Sequence, residues 1–193
     1  MDNEELELAL LDVEERMDRA VEVAAENLAR IRTGRASADM LDHLRVEYYG
    51  APTPLRQLAT VTVPEPRTLM ITPFDVESAA AIEKAIMQSD LGLTPNVSGE
   101  GKTRIIRINI PELSEERRKD LVRVARHEAE QARVAVRNLR REANDAIRKA
   151  EKEGVLGEDD ARRKLDDVQK QTDAHVARID KLLEQKEQDL LTV

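Results

Sequence analysis

Arginine side chains dominate the stretch RVAVRNLRREAND, which runs from Arg133 to Asp145. Its arginines are Arg133, Arg137, Arg140 and Arg141, in a chain whose formal net charge is −8. A guanidinium group keeps its charge at every physiological pH and presents a planar fork of donors that suits a phosphate group. The chemistry that this stretch favours is therefore the binding of a polyanion.

The spacing of the basic residues puts them on one face of a helix. At about 100° per residue they fall within an arc of roughly 100°. We call this set the basic stripe: Lys119, Arg123, Arg126, Arg133, Arg137, Arg140, Arg141 and Arg148. Only Glu130 places a carboxylate among them, and apolar residues are expected on the far side, namely Leu121, Val124, Ala132, Ala135, Val136, Leu139, Ala143 and Ala146.

A solvated charged face is the ordinary explanation for such a helix. Here, however, like charges run along one face with almost no acids to pair them, which destabilises the helix unless a polyanion binds. The stripe therefore predicts a face that binds RNA or DNA. No aromatic residue lies on this helix, so recognition of backbone and shape is expected rather than base stacking.

Residues for catalysis or metal binding are not assembled in the sequence. There is no cysteine, and His43, His127 and His175 are scattered without metal-binding spacing. We expect His175 to be a packed or edge residue. No phosphate loop or nucleophile motif is present, so we expect a protein that is not an enzyme and needs no cofactor or metal.

The N-terminal stretch MDNEELELALLDVEER resembles neither a signal peptide nor a transit peptide. No apolar run approaches the length of a membrane span. A soluble, cytoplasmic protein is the expectation.

Three long helices must position the stripe. Apolar residues from Leu6 to Ile31 recur at steps of three and four. A second helix is predicted from Ser114, as its cap, to Glu153, and a third from Asp159 after the turn at Gly154 and Gly157. None can bury its apolar face alone, so we predict an antiparallel three-helix bundle made of residues 1–34 and 113–193.

The intervening residues 35–112 contain all seven prolines and read as a small β/α/β domain, so the fold class is α+β with two domains. Strands are predicted within 44–48, 58–63, 68–72 and 104–110. A helix is predicted from Glu77 with Gly92 as its stop, and PNVSGEGK is predicted to be a turn. The connections at Gly34–Ala36 and Pro111–Glu112 are predicted to form a hinge.

Several long motifs resemble the ribosome recycling factor family, in the same order and at matching spacing. They are IRTGRAS (31–37), VEYYGAPTPLRQLA (46–59), EKAIMQSDLGLTP (83–95), LSEERRKDLV (113–122), ARVAVRNLRREAND (132–145) and KEQDL (186–190). The resemblance runs from about Glu14 to the C-terminus. It implies an elongated, tRNA-like L shape in which a bundle carries the smaller domain.

The resemblance also implies a function and partners. Members act with elongation factor G and its GTP hydrolysis to split the post-termination ribosome, and their bundle lies on RNA of the large subunit. We therefore expect a monomer whose partners are the large ribosomal subunit and elongation factor G, with no membrane partner. The expected RNA-binding residues are Arg126, Arg133, Arg137, Arg140, Arg141 and Arg32, and the expected hinge residues are Gly34, Arg35, Ala36, Pro111 and Glu112.

Two other classes of function remain open from the residues alone. A helical adaptor protein would use the apolar seams of the bundle, and its binding would be nearly insensitive to salt. An enzyme would need a pocket in residues 35–112, for which the residue inventory offers little support.

Overall fold

The computed structural model describes residues 2–192, which separate into two units. Unit one holds the described residues up to Arg32 together with Glu115–Thr192, and unit two is Thr33–Ser114. In chain order the elements are α1 (Asn3–Ala29), β1 (Arg45–Tyr48), β2 (Ala51–Pro54), α2 (Leu55–Leu58), β3 (Ala59–Glu65), β4 (Thr68–Pro73), α3 (Ser78–Gln88), β5 (Pro95–Ser98), β6 (Ile105–Asn109), α4 (Glu115–Lys152) and α5 (Glu158–Leu191).

Unit one is a bundle of α1, α4 and α5, as the apolar periodicity predicts. Side-chain hydrogen bonds between the helices show their relative direction. Arg16 donates to Glu142 and Asn27 donates to Glu128, so α1 runs antiparallel to α4. The α4–α5 turn is tight enough to make these helices antiparallel too. Gly154 adopts a left-handed φ of +75° there, a conformation that glycine adopts without steric cost.

The core of unit one combines long aliphatic and small side chains. Leu6, Met17, Ile147 and Ile179 are fully buried. Ala125, Ala129 and Ala150 on α4 are buried as well, and their small side chains let the helices approach closely. This packing holds the three helices against one another and so positions the residues on their outer faces.

His175 is a packed residue of unit one rather than a member of a metal site. Its Nδ1 lies 2.6 Å from the Gln171 carbonyl oxygen, and its Nε2 lies 3.0 Å from Asp18 Oδ1. Arg178 also donates to Asp18 Oδ1, at 2.6 Å. The hydrogen bonds from Arg178 and then from His175 hold the pKa of the Asp18 carboxyl below its ordinary value.

The Asp18 cluster makes a testable contribution to acid stability. A carboxyl whose folded pKa is depressed stabilises the protein above its unfolded pKa of about 4, and that stabilisation disappears as pH falls through the folded pKa. We expect Asp18→Asn to lower the free energy of unfolding by about 1 kcal/mol or less at pH 7. The effect is small because Asp18 and Arg178 are both about half exposed, so solvent screens their attraction.

Urea denaturation at pH 7 and at pH 2.5 checks this expectation. The gap between the Asp18→Asn variant and the wild type should shrink at pH 2.5. Asp166→Asn, which removes an exposed α5 carboxylate, is the control and should show little change at either pH. A gap that stayed constant or widened on acidification would contradict the assignment.

Unit two is built from an antiparallel sheet in the order β3-β4-β6-β5, a separate β1–β2 hairpin and the helix α3. Ile71, Ile106 and Ile108 of the sheet and Ile82 and Ile86 of α3 are fully buried in its core. Alternation along β6 explains the sheet side of this core, since Ile106 and Ile108 point inward and Arg107 points outward.

Two predictions within unit two are wrong. The segment PNVSGEGK is not all turn, because Pro95–Ser98 pairs with β6 as the edge strand β5, where a proline without an N–H is tolerated. The helix α3 ends at Gln88 rather than near Gly92. Ser89 is extended there and its hydroxyl donates to the Ile86 carbonyl oxygen at 2.6 Å, which closes the last turn.

Candidate nucleic-acid interface

The helix α4 carries the basic stripe along its exposed surface. The residues that it buries against α1 and α5 are Val122, Ala125, Ala129, Val136, Leu139, Ala143, Ile147 and Ala150. In angular terms this buried face lies about a quarter turn from the stripe, not opposite to it. The predicted far-side set is therefore wrong in part: Val124 is 46% exposed, Ala135 is also exposed, and Ala125, Ala129 and Ile147 were missing from it.

The expectation that the stripe lacks acidic partners is also wrong for its N-terminal half. Arg126 Nε lies 2.5 Å from Glu187 Oε1, and Arg133 lies 2.7 Å from Asp180 Oδ1. Both carboxylates belong to α5, so a projection of α4 alone does not reveal them. The sequence does contain one sign of these pairs. Acidic residues of α5 lie beside the apolar residues that face the core, and from there they can reach α4.

Arg133 is one of two partly buried residues among the predicted RNA-binding arginines, the other being Arg140. Its side chain is 19% exposed and is held by Asp180 and by Glu130, whose Oε2 lies 2.9 Å away. Burial by itself lowers the pKa of the Arg133 guanidinium, but the bonds to these two carboxylates outweigh burial and raise it. Arg133 therefore joins α4 to α5 as well as contributing charge to the stripe.

The C-terminal half of the stripe keeps more of its charge available. Arg137 Nη1 bonds Glu130 Oε1 at 3.0 Å, and its side chain remains 45% exposed. Bonds from Arg133 and from Arg137 together lower the pKa of Glu130. Arg141 and Arg148 are exposed and form no ion pair within the described residues 2–192. Of these three exposed arginines, only Arg137 is therefore paired with a carboxylate within that range.

Arg140 differs from its neighbours because it is half-buried beside α5. Its Nη1 donates to Gln169 Oε1 at 3.2 Å, and Gln169 in turn donates to Asp173 at 2.9 Å. The buried Arg140 Nε and the buried Asn144 Oδ1, one helical turn apart, have no hydrogen-bond partner.

Arg32 lies apart from the densest segment of the stripe. It is exposed just beyond the C-terminus of α1, at the end of the bundle where Asn27 meets Glu128. Arg140 is twelve residues further along α4 than Glu128, or roughly 18 Å at 1.5 Å per residue. The structure therefore does not bring Arg32 together with the segment 137–141.

The predicted hinge residues lie in the first and last few residues of unit two, next to its boundaries with unit one. Gly34 has a φ of +77°, and Arg35 is exposed after it. Ala36 donates its N–H to the Pro66 carbonyl oxygen at 2.8 Å, inside unit two. Pro111 and Glu112 are exposed in the returning segment, where Glu112 lies 3.4 Å from Arg67.

No group of three or more potential metal ligands occurs among residues 2–192. No helix in this range is long and apolar enough to cross a membrane. The fold and the surface thus define a class of protein that pairs a helical bundle, one face of which is rich in arginine, with a small α+β unit inserted between its helices.

Comparison with known proteins identifies the family. The family model described as "Ribosome recycling factor" matches residues 24–191. The chain is 54% identical to the ribosome-recycling factor of Shouchella clausii over 94% of this chain and 96% of that protein, and 52% identical to that of Oleidesulfovibrio alaskensis over 97% and 100%. This chain belongs to the ribosome recycling factor family.

Solved structures agree with this assignment. A solution structure of the ribosome recycling factor is 41% identical and superposes with a TM-score of 0.74, covering 98% of each chain. A T. thermophilus ribosome recycling factor, in models with E. coli elongation factor G bound to the E. coli post-termination complex, is 50% identical with a TM-score of 0.62. That match covers 99% of this chain and 100% of the other.

Proposed function

We propose that this protein splits the post-termination ribosome into its subunits, acting together with elongation factor G and GTP hydrolysis. The observation that carries the proposal is similarity over almost the whole chain to a recycling factor described on the post-termination complex with elongation factor G. Acting on ribosomes, the protein would work in the cytoplasm. It would act as a monomer and would contribute no catalytic group or cofactor of its own.

The basic stripe is the proposed contact with RNA of the large subunit. Arg137 and Arg141 supply accessible charge, and Arg140 supplies a guanidinium that α5 holds in position. Arg126 and Arg133 would reach RNA only by sharing or exchanging their α5 carboxylates. Arg32 lies beside the N-terminal half of α4, away from Arg137 and Arg141. It would therefore meet a separate part of the RNA.

The two linking segments are the proposed hinge between a ribosome-bound unit one and a movable unit two. Hydrogen bonds tie Ala36 to Pro66 and Ile110 to Arg67, both inside unit two. Bending should therefore concentrate at Gly34 and Arg35 on one segment and at Pro111 and Glu112 on the other. Elongation factor G would move unit two about these residues while the stripe keeps unit one in place.

A splitting assay tests the proposed function directly. Purified post-termination ribosomes are mixed with the protein, with elongation factor G and with GTP, and dissociation into subunits is followed by light scattering. We expect a fall in scattering that requires both proteins. Splitting that proceeded equally well without this protein, or its absence in the complete mixture, would contradict the proposal.

A further inference from the structure

The helices α4 and α5 carry charged residues of opposite sign that share a repeat of seven residues. On α4 the basic residues of this repeat are Arg126, Arg133 and Arg140. On α5, in the reverse direction, the acidic residues are Glu187, Asp180 and Asp173. Antiparallel helices with a common seven-residue repeat bring such positions together at regular intervals. The repeat alone therefore predicts three ion pairs between the two helices.

Two of these ion pairs form, one at Arg126 and one at Arg133, and the third does not. Arg140 donates instead from Nη1 to Gln169 Oε1 at 3.2 Å, and it forms no ion pair within residues 2–192. Gln169 Nε2 in turn donates to Asp173 Oδ1 at 2.9 Å. A neutral amide therefore separates Arg140 from the carboxylate that the repeat pairs with it.

Asp173 decides which end of the Gln169 amide faces Arg140. A carboxylate only accepts hydrogen bonds, whereas an amide has one donating end and one accepting end. Because the NH2 group of Gln169 is bound to Asp173, one helical turn further along α5, the amide oxygen turns to the guanidinium group. Asp173 thus acts as an acceptor for Gln169 and forms no ion pair in the described part of the chain.

The neutral acceptor leaves the charge of Arg140 uncompensated. A guanidinium group on a carboxylate must share or exchange that partner before it binds a phosphate, whereas one held by an amide keeps its full charge. Arg140 is also half-buried, so its side chain has fewer orientations open to it than the exposed side chains of Arg137 and Arg141. A charged and positioned guanidinium group favours a charge-assisted bond to a phosphate oxygen.

We propose that Gln169 is a positioning residue for RNA binding. It holds Arg140 with a neutral group and keeps Asp173 from pairing with it, so that Arg140 presents its charge to a phosphate of large-subunit RNA. This inference rests on the proposed function, which supplies the RNA. Gln169 and Asp173 both belong to α5, so a projection of α4 alone does not reveal them.

Removal of the amide tests this role. Gln169→Met keeps the length of the side chain but releases Asp173, which can then pair with Arg140. We expect binding to purified large ribosomal subunits, measured by sedimentation, to weaken about fivefold, as for the gain of one competing exposed ion pair. The slope of the logarithm of the binding constant against the logarithm of salt concentration should fall by about one. Because Gln169 is exposed, the thermal midpoint should stay within a few degrees of the wild type.

Further substitutions separate this role from ordinary packing. Gln169→Met combined with Asp173→Asn should bind within about twofold of the wild type, because no carboxylate then competes for Arg140. In an Arg140→Met background, Gln169→Met should have no further effect on binding. Gln185→Met makes the same change at another exposed residue of α5, and this control should bind as the wild type does.

The outcomes distinguish this inference from the proposed function. Wild-type affinity in Gln169→Met overturns the inference, and so does a loss that Asp173→Asn does not restore or that persists in the Arg140→Met background. A loss of binding that merely accompanies a large fall in the thermal midpoint would make the bond structural and would overturn the inference as well. If the wild type itself does not bind large subunits, the proposed function fails together with the inference.

Discussion

Replacing Arg137 and Arg141 together by glutamate is expected to weaken binding to the large ribosomal subunit by about a hundredfold near 0.1 M salt. Each lost phosphate contact costs roughly 1 kcal/mol or more, and the introduced carboxylates add repulsion. The logarithm of the binding constant should also depend less steeply on the logarithm of salt concentration. Its slope should fall by about two for two lost contacts.

The choice of Arg141 rather than Arg140 follows from burial. Arg140 is half-buried, donates to Gln169 and has a buried Nε, so its reversal would disturb the contact between α4 and α5. Arg137 and Arg141 are exposed, and the double variant should keep its helical circular dichroism and its thermal midpoint within a few degrees. Sedimentation with purified subunits over a range of salt measures the binding.

A matched control is available on α5. Arg162→Glu with Arg163→Glu changes the net charge by the same amount in the same unit, at exposed residues outside the stripe. We expect that control to bind within about threefold of the wild type, since only long-range screened charge differs. Equal loss in the two double variants would mean that general charge, and not the stripe, drives binding.

Replacing Gly34 by valine is expected to slow subunit splitting by about tenfold or more while sparing binding to the large subunit. Gly34 has a φ of +77°, and a Cβ there would lie 3.3 Å from the Leu113 side chain. A β-branched residue in this region costs of order 1–3 kcal/mol. Strain of that size shifts a conformational equilibrium by about fivefold to 150-fold, so the path of the linking segment should change.

Gly154→Val is the matched control for backbone strain. Gly154 has a φ of +75° in the α4–α5 turn, with no atom near the position of an added Cβ. Both variants should lose a similar amount of stability in urea denaturation, but only Gly34→Val should split ribosomes slowly in the light-scattering assay. Normal splitting by Gly34→Val would count against Gly34 as a working part of the hinge.

Local pattern was sufficient for the long helices and for most strands. Apolar steps of three and four located α1, α4 and α5, because each helix must bury one continuous face. Alternation located β1 and β6, since Val46, Ile106 and Ile108 are buried on one side. Local pattern failed at β5 and at the end of α3, where pairing with β6 and the Ser89 hydroxyl decide the outcome.

In the candidate interface, too, some features follow from local sequence pattern and others depend on tertiary contacts. The sequence by itself determined that one face of α4 is rich in arginine, because helical spacing fixes which residues share a face. It also identified the family, through long motifs in the same order.

Only the tertiary structure decided which of those arginines stay available. The helix α5 brings Glu187 to Arg126, Asp180 to Arg133 and Gln169 to Arg140, whereas Arg137 remains accessible and Arg141 is not paired by α5. The physical reason is that charge pairing depends on distances of a few ångströms between chain segments that are far apart in sequence. Periodicity along one helix contains no information about such distances.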